Sequence, residues 1–94
     1  MHIGVCTIEL RLPGNGSLKD KRSVVKSIVS RVSRAYNVSI AEVDAHDIWQ
    51  RAVLGCACVS VSAGYAHGLL EQVVHWIEAN RPDLELLEYE IEML

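Results

Sequence analysis

Cys6, Ile8, Leu10 and Leu12 alternate with Thr7, Glu9 and Arg11, the two-residue period of a strand with one buried face. That run, residues 2–12, stops at Pro13-Gly14-Asn15-Gly16, a cluster of turn formers. The period then changes. Val24, Val25, Ile28, Val32 and Tyr36 recur three and four residues apart, which predicts an amphipathic helix over 18–36. Ser17 can cap it, and Asp20 three residues on completes a capping-box pattern. After Asn37, residues 38–43 form a β-rich run, and Asp44-Ala45-His46-Asp47 reads as a turn. Residues 49–62 predict a longer strand that is apolar on both sides, with Leu54, Cys56 and Cys58 against Val53, Ala57, Val59 and Val61, as expected inside a sheet. Ser62 can cap a second helix with the stripe Ala66, Leu69, Leu70, Val73, Trp76 and Ile77, stopped by Arg81-Pro82. In residues 84–93, Leu87, Tyr89, Ile91 and Met93 alternate strictly with Leu86, Glu88, Glu90 and Glu92.

The order is β-α-β-β-α-β. Strand–helix–strand crossovers are right-handed, which makes the split βαβ sandwich the simplest topology. The expectation is one ferredoxin-like α+β domain over residues 1–94: two helices on one face of a four-stranded antiparallel sheet, the other face open. The last strand then flanks the first, and Glu88, Glu90 and Glu92 fall on the open face.

Composition sharpens this. Half of the 94 residues are hydrophobic, enough for a core, which has to be largely aliphatic because there is no Phe and only three Tyr and two Trp. No basic leader precedes the first strand and no apolar run approaches the roughly 20 residues of a membrane helix, so no membrane association is expected. Three cysteines, an odd number without an export signal, point to reduced thiols and a cytoplasmic protein. The net charge is −3, but it is segregated. Residues 1–36 carry seven Lys/Arg against Glu9 and Asp20, and residues 37–94 carry Arg51 and Arg81 against ten acids. One basic face and one acidic face follow.

Candidate chemistry is sparse. Cys56 and Cys58 share one side of a strand that should neighbour Cys6, yet Cys-x-Cys in a strand lacks the knuckle spacing of zinc sites, and three small core residues is the simpler reading. His67 and His75 lie about 12 Å apart along a helix, too far to share a metal. His46 between Asp44 and Asp47 could form an acid/base cluster, although such residues are ordinary in turns. Neither a nucleophile–base pair nor a phosphate loop can be assembled, so no catalysis, metal or cofactor is expected. Two features remain. Lys19, Arg22 and Lys26 share one side of the first helix at i, i+3 and i+7, with Lys21 beside them, a pattern suited to phosphates. Trp49-Gln50-Arg51 follows the acidic turn of Asp44 and Asp47 and could meet a ligand or partner, or could instead be an edge tryptophan with Arg51 paired to Asp44 or Asp47.

Several strings are familiar. Ser17-Leu18-Lys19-Asp20-Lys21-Arg22, then Asn37-Val38-Ser39-Ile40-Ala41-Glu42-Val43-Asp44, then Asp47-Ile48-Trp49-Gln50-Arg51-Ala52 with Leu54-Gly55, and Leu87-Glu88-Tyr89-Glu90-Ile91 resemble the bacterial YlxP-like family, a domain of unknown function. The resemblance spans essentially the whole chain. It implies a ferredoxin-like fold, and genes of the family commonly sit among those for translation initiation and ribosome maturation. The expected function is therefore a non-catalytic module associated with RNA or the ribosome through Lys19, Lys21, Arg22 and Lys26. Two alternatives stand beside it. Leu12-Pro13-Gly14 with Leu18 loosely resembles the loop of amino-acid-sensing ACT domains. An open sheet face carrying Ile3, Val5 and the aliphatics of the third strand would also suit an adaptor or a homo-oligomer, most simply a dimer.

Overall fold

A computed structural model describes residues 1–94. The elements run β1 (His2–Arg11), α1 (Leu18–Ala35), β2 (Ser39–Asp44), β3 (Arg51–Ser60), α2 (Ala63–Asn80) and β4 (Glu85–Met93). The four strands are ordered β2-β3-β1-β4 and every neighbouring pair is antiparallel, a ferredoxin-like α+β fold. Both helices begin as their sequences dictate. Ser17 Oγ accepts from Asp20 N at 3.1 Å, and Ser62 Oγ accepts from Tyr65 N at 3.2 Å, so each side chain satisfies a backbone donor that the first turn would leave open.

The core lies between sheet and helices. Cys6, Ile8 and Leu10 of β1 and Ala52, Leu54, Cys56 and Cys58 of β3 meet Val25, Ile28 and Val32 of α1 and Ala66, Leu70, Val73, Val74 and Ile77 of α2, all buried. Gly4 admits α2 at close range: a Cβ there would sit 2.9 Å from Leu70 Cδ1. Neither helix is long and apolar enough to cross a membrane.

Two edge strands depart from simple alternation. On β4 the register shifts where Glu9 faces Glu88 but Leu10 faces Leu86, which leaves Leu87 as the extra residue, about half exposed. Leu86 thus takes the core-side position that strict alternation gives to Leu87, while Tyr89, Ile91 and Met93 keep theirs and Glu88, Glu90 and Glu92 stay on the open face. On β2 the extra residue is Val43, whose side chain lies across Gly55 of β3.

Candidate functional site

Each cation can be placed by its partner. Arg11 lies 3.7 Å from Glu85, Arg51 2.9 Å from Glu9, Arg81 2.7 Å from Asp83 and Lys21 2.8 Å from Glu42. Those four account for every ion pair among nine Lys/Arg. The other five, Lys19, Arg22, Lys26, Arg31 and Arg34, all belong to α1 and all are exposed. Arg31 rests over the Trp76 ring at 5.5 Å, and the sole acid of α1 is Asp20 in its first turn. The helix therefore presents Lys19, Arg22 and Lys26 along one side without a carboxylate of this chain to neutralise them.

Lys21 is the correction. It is 1% exposed, far from a surface phosphate ligand, and its ammonium is enclosed by Glu42 Oε2 and the carbonyls of Ala45 and His46, the last at 3.4 Å. Helical period explains the placement. Lys21 precedes Val25 by four residues and Ile28 by seven, so it continues the buried stripe, while Lys19 and Arg22 point away. Glu42 follows Ile40 by two residues on β2 and so faces the same side of the sheet. The buried Glu42 Oε2 accepts no hydrogen bond of good angle, so charge attraction is what holds it. A desolvated ammonium is tolerable only when paired and hydrogen-bonded, and here both conditions are met.

The carbonyls that Lys21 engages belong to the turn between β2 and β3. Ala45 has φ +59°, an uncommon conformation for a residue with a Cβ, and its N–H donates to Asp44 Oδ1 at 2.7 Å. Ile48 N donates to Ala45 O at 3.0 Å. The far end of the turn is tied to the segment leading into α1. Leu12 N donates to Gln50 O at 2.8 Å, and Asn15 Nδ2 donates to Trp49 O and to Ser17 O. Gln50 Nε2 reaches Asn15 O at 3.4 Å. Trp49 thus lies in the turn before β3 and not in the strand, and its side chain is half exposed, as is that of Ile48. Arg51 does not pair with Asp44 or Asp47. Its side chain crosses the open sheet face to Glu9, whose strand partner Val53 is two residues on. Trp49 and Gln50 come beside the entry to α1, whereas Arg51 points elsewhere.

The three cysteines stay apart from this corner. Cys6 faces Cys56 directly across β1 and β3, and with Cys58 both are buried free thiols. Burial, helped by the Glu71 charge, pushes Cys6 from 9.0 to about 11. Burial and the neighbouring thiols push Cys56 to about 12. Both are therefore protonated, poor nucleophiles and poor ligands near neutral pH. His46 Nε2 lies 3.2 Å from Glu42 O, a local contact, and nowhere do three His, Cys, Asp or Glu side chains converge on one point. A depression of about 210 Å³ beside Pro13, Gly14 and Asn15 contains one charged group, Asp83.

The family model "Protein of unknown function (DUF503)" matches residues 3–91. The Bacillus subtilis (strain 168) protein YlxP is 40% identical over 83 residues, covering 88% of this chain and 89% of that one. Among solved structures, protein SO0527 from Shewanella oneidensis aligns over 97% of this chain and 88% of its own at 14% identity and a TM-score of 0.44, a likeness too distant to bear on function.

Proposed function

The chain belongs to the DUF503 family, and we propose that it is a non-catalytic RNA-binding module, working on the ribosome or its RNA, whose contact surface is the exposed side of α1. One observation carries this reading: every cation without an acidic partner lies on α1. Cations crowded onto one helix repel one another, a cost that an anionic partner removes. The contact differs from that of sheet-binding RNA modules, which stack bases on aromatics of the central strands. The open-face positions of β1 are Ile3, Val5, Thr7, Glu9 and Arg11, those of β3 are Arg51, Val53, Gly55, Ala57 and Val59, and β4 adds Glu88, Glu90 and Glu92. That face offers no ring on its two central strands and an acidic row on its edge, so RNA belongs on the helices' side.

Phosphate contacts are salt-dependent. With Lys19, Arg22 and Lys26 each holding one phosphate, the slope of log affinity against log salt should fall by about 2 to 3 in the triple alanine variant, at roughly 0.7 to 0.9 per contact. An unchanged slope contradicts the reading.

A further inference from the structure

We infer that Trp49 is a stacking platform for an unpaired base, and that the turn at 45–50 together with α1 forms a site selective for single-stranded RNA. The inference rests on the RNA reading of α1 and adds to it the kind of RNA and the residue that selects it.

Trp49 leaves half of its surface in water, an unusual position for the largest apolar side chain in a small protein. Trp76, by contrast, is partly buried and already carries Arg31 on its ring. The indole of Trp49 is exposed on a fixed base. Asn15 holds its own carbonyl, Leu12 holds that of Gln50, and Lys21 holds those of Ala45 and His46. Lys21 is the residue that joins ring and cations. Buried within α1, it ties down the turn, while the residues two before and one after it, Lys19 and Arg22, carry free charges. The turn that carries the ring and the helix that carries the charges are therefore tied to one another.

Cations that follow a phosphate chain beside an accessible aromatic face are the two requirements for holding single-stranded nucleic acid. A duplex offers the phosphates but keeps its bases stacked inside, out of reach of Trp49. The acids of the turn fix the orientation. Asp44, whose Oδ1 accepts from the Ala45 N–H, and Asp47 are both exposed, neither is in an ion pair, and both would repel a phosphate. The sugar–phosphate chain must therefore run along α1, with a base and not a phosphate placed over the turn.

The test uses the full chain with Trp76→Phe, so that Trp49 is the sole indole, titrated with a short oligouridylate and with duplex RNA of equal phosphate count. Oligouridylate should quench the fluorescence and duplex should not. In the otherwise native chain, Trp49→Ala should weaken oligouridylate binding by about 5- to 150-fold, leave its salt slope unchanged and leave duplex binding alone, while Trp49→Phe retains most of the affinity. Far-UV circular dichroism checks that the exposed substitution leaves the fold intact. If Trp49→Ala changes neither RNA, or both equally, while binding still depends on α1, the stacking platform is wrong and the α1 reading survives. Loss of a protein partner with RNA binding unaltered would likewise overturn it, marking the turn as a protein-docking site. If neither RNA binds the native protein even at low salt, the α1 reading fails and this inference fails with it.

Discussion

Removing the Lys21 ammonium would leave the buried Glu42 Oε2 with no opposite charge, and Ala45 O with Ile48 N as its remaining donor. Breaking one side of a buried ion pair typically costs about 3 to 5 kcal/mol, whereas replacing both partners with apolar groups of similar size is close to neutral. Lys21→Met should therefore lower the urea midpoint sharply at constant m-value, and Lys21→Met with Glu42→Leu should recover most of the loss. A single variant as stable as the native chain would contradict the pairing. The thiols make a second case. A native-state value raised above the ordinary 9.0 means that the folded protein holds the proton more tightly, so the stabilising share is complete below about pH 9. It is lost as pH rises through about 11 for Cys6 and 12 for Cys56. Stability should fall above pH 9 less steeply in Cys56→Ala than in the native chain, by about 1.4 kcal/mol per pH unit. Equal slopes would show that the thiol ionises freely. Lys21 was legible in the sequence by the same count that places Val25 and Ile28 inside, and Glu42 by its two-residue step from Ile40. A run of cations read as a patch hides that one of them sits on the apolar stripe. The partner of Arg51 was not legible, because Glu9 is 42 residues away and only the sheet register brings them together.

Among the elements, the packing of α2 on β1 depends on the bare Cα of Gly4. A Cβ at Gly4 meets Leu70 Cδ1 at 2.9 Å and Met93 Sδ at 3.3 Å, and Leu70 is fully buried with nowhere to move. Gly4→Ala should cost about 1 to 3 kcal/mol. Gly55→Ala is the comparison. Its Cβ would approach Val43 Cγ1 at 2.8 Å, but Val43 is half exposed and can turn aside, so the change should stay within about 0.5 kcal/mol. Chemical denaturation of both variants checks the contrast, and a larger loss at Gly55 would reverse the account of which contact is rigid. The helices and strands were legible from periodicity, caps and turn formers: α1 and α2 each bury one stripe behind a serine cap, β1 alternates, and β3 is apolar on both sides. The bulges at Leu87 and Val43 were not, since an extra residue follows from pairing with a neighbouring strand and leaves no local mark.

At the scale of the molecule, charge is sorted by the sheet. Five unpaired cations lie on α1, and Glu88, Glu90 and Glu92 line the opposite, open face. Salt confines each field to about 10 Å, so a net charge of −3 does not prevent an anionic partner from meeting only the basic side. The sorting was legible in outline from the split between residues 1–36 and 37–94. Which cations remain free was not, because four of the nine are neutralised by acids that the fold brings near. If α1 is the RNA contact, the location of charge on that helix, and not its total, governs binding. The most direct measurement compares RNA affinity at low and moderate salt for two charge-matched variants. Lys19→Ala with Arg22→Ala removes two unpaired cations of α1, and Arg11→Ala with Arg81→Ala removes two cations already held by Glu85 and Asp83. Each takes the net charge from −3 to −5. The α1 pair should lose affinity and salt slope while the other pair stays near the native chain. Equal losses in the two variants, or none in the α1 pair, would contradict it.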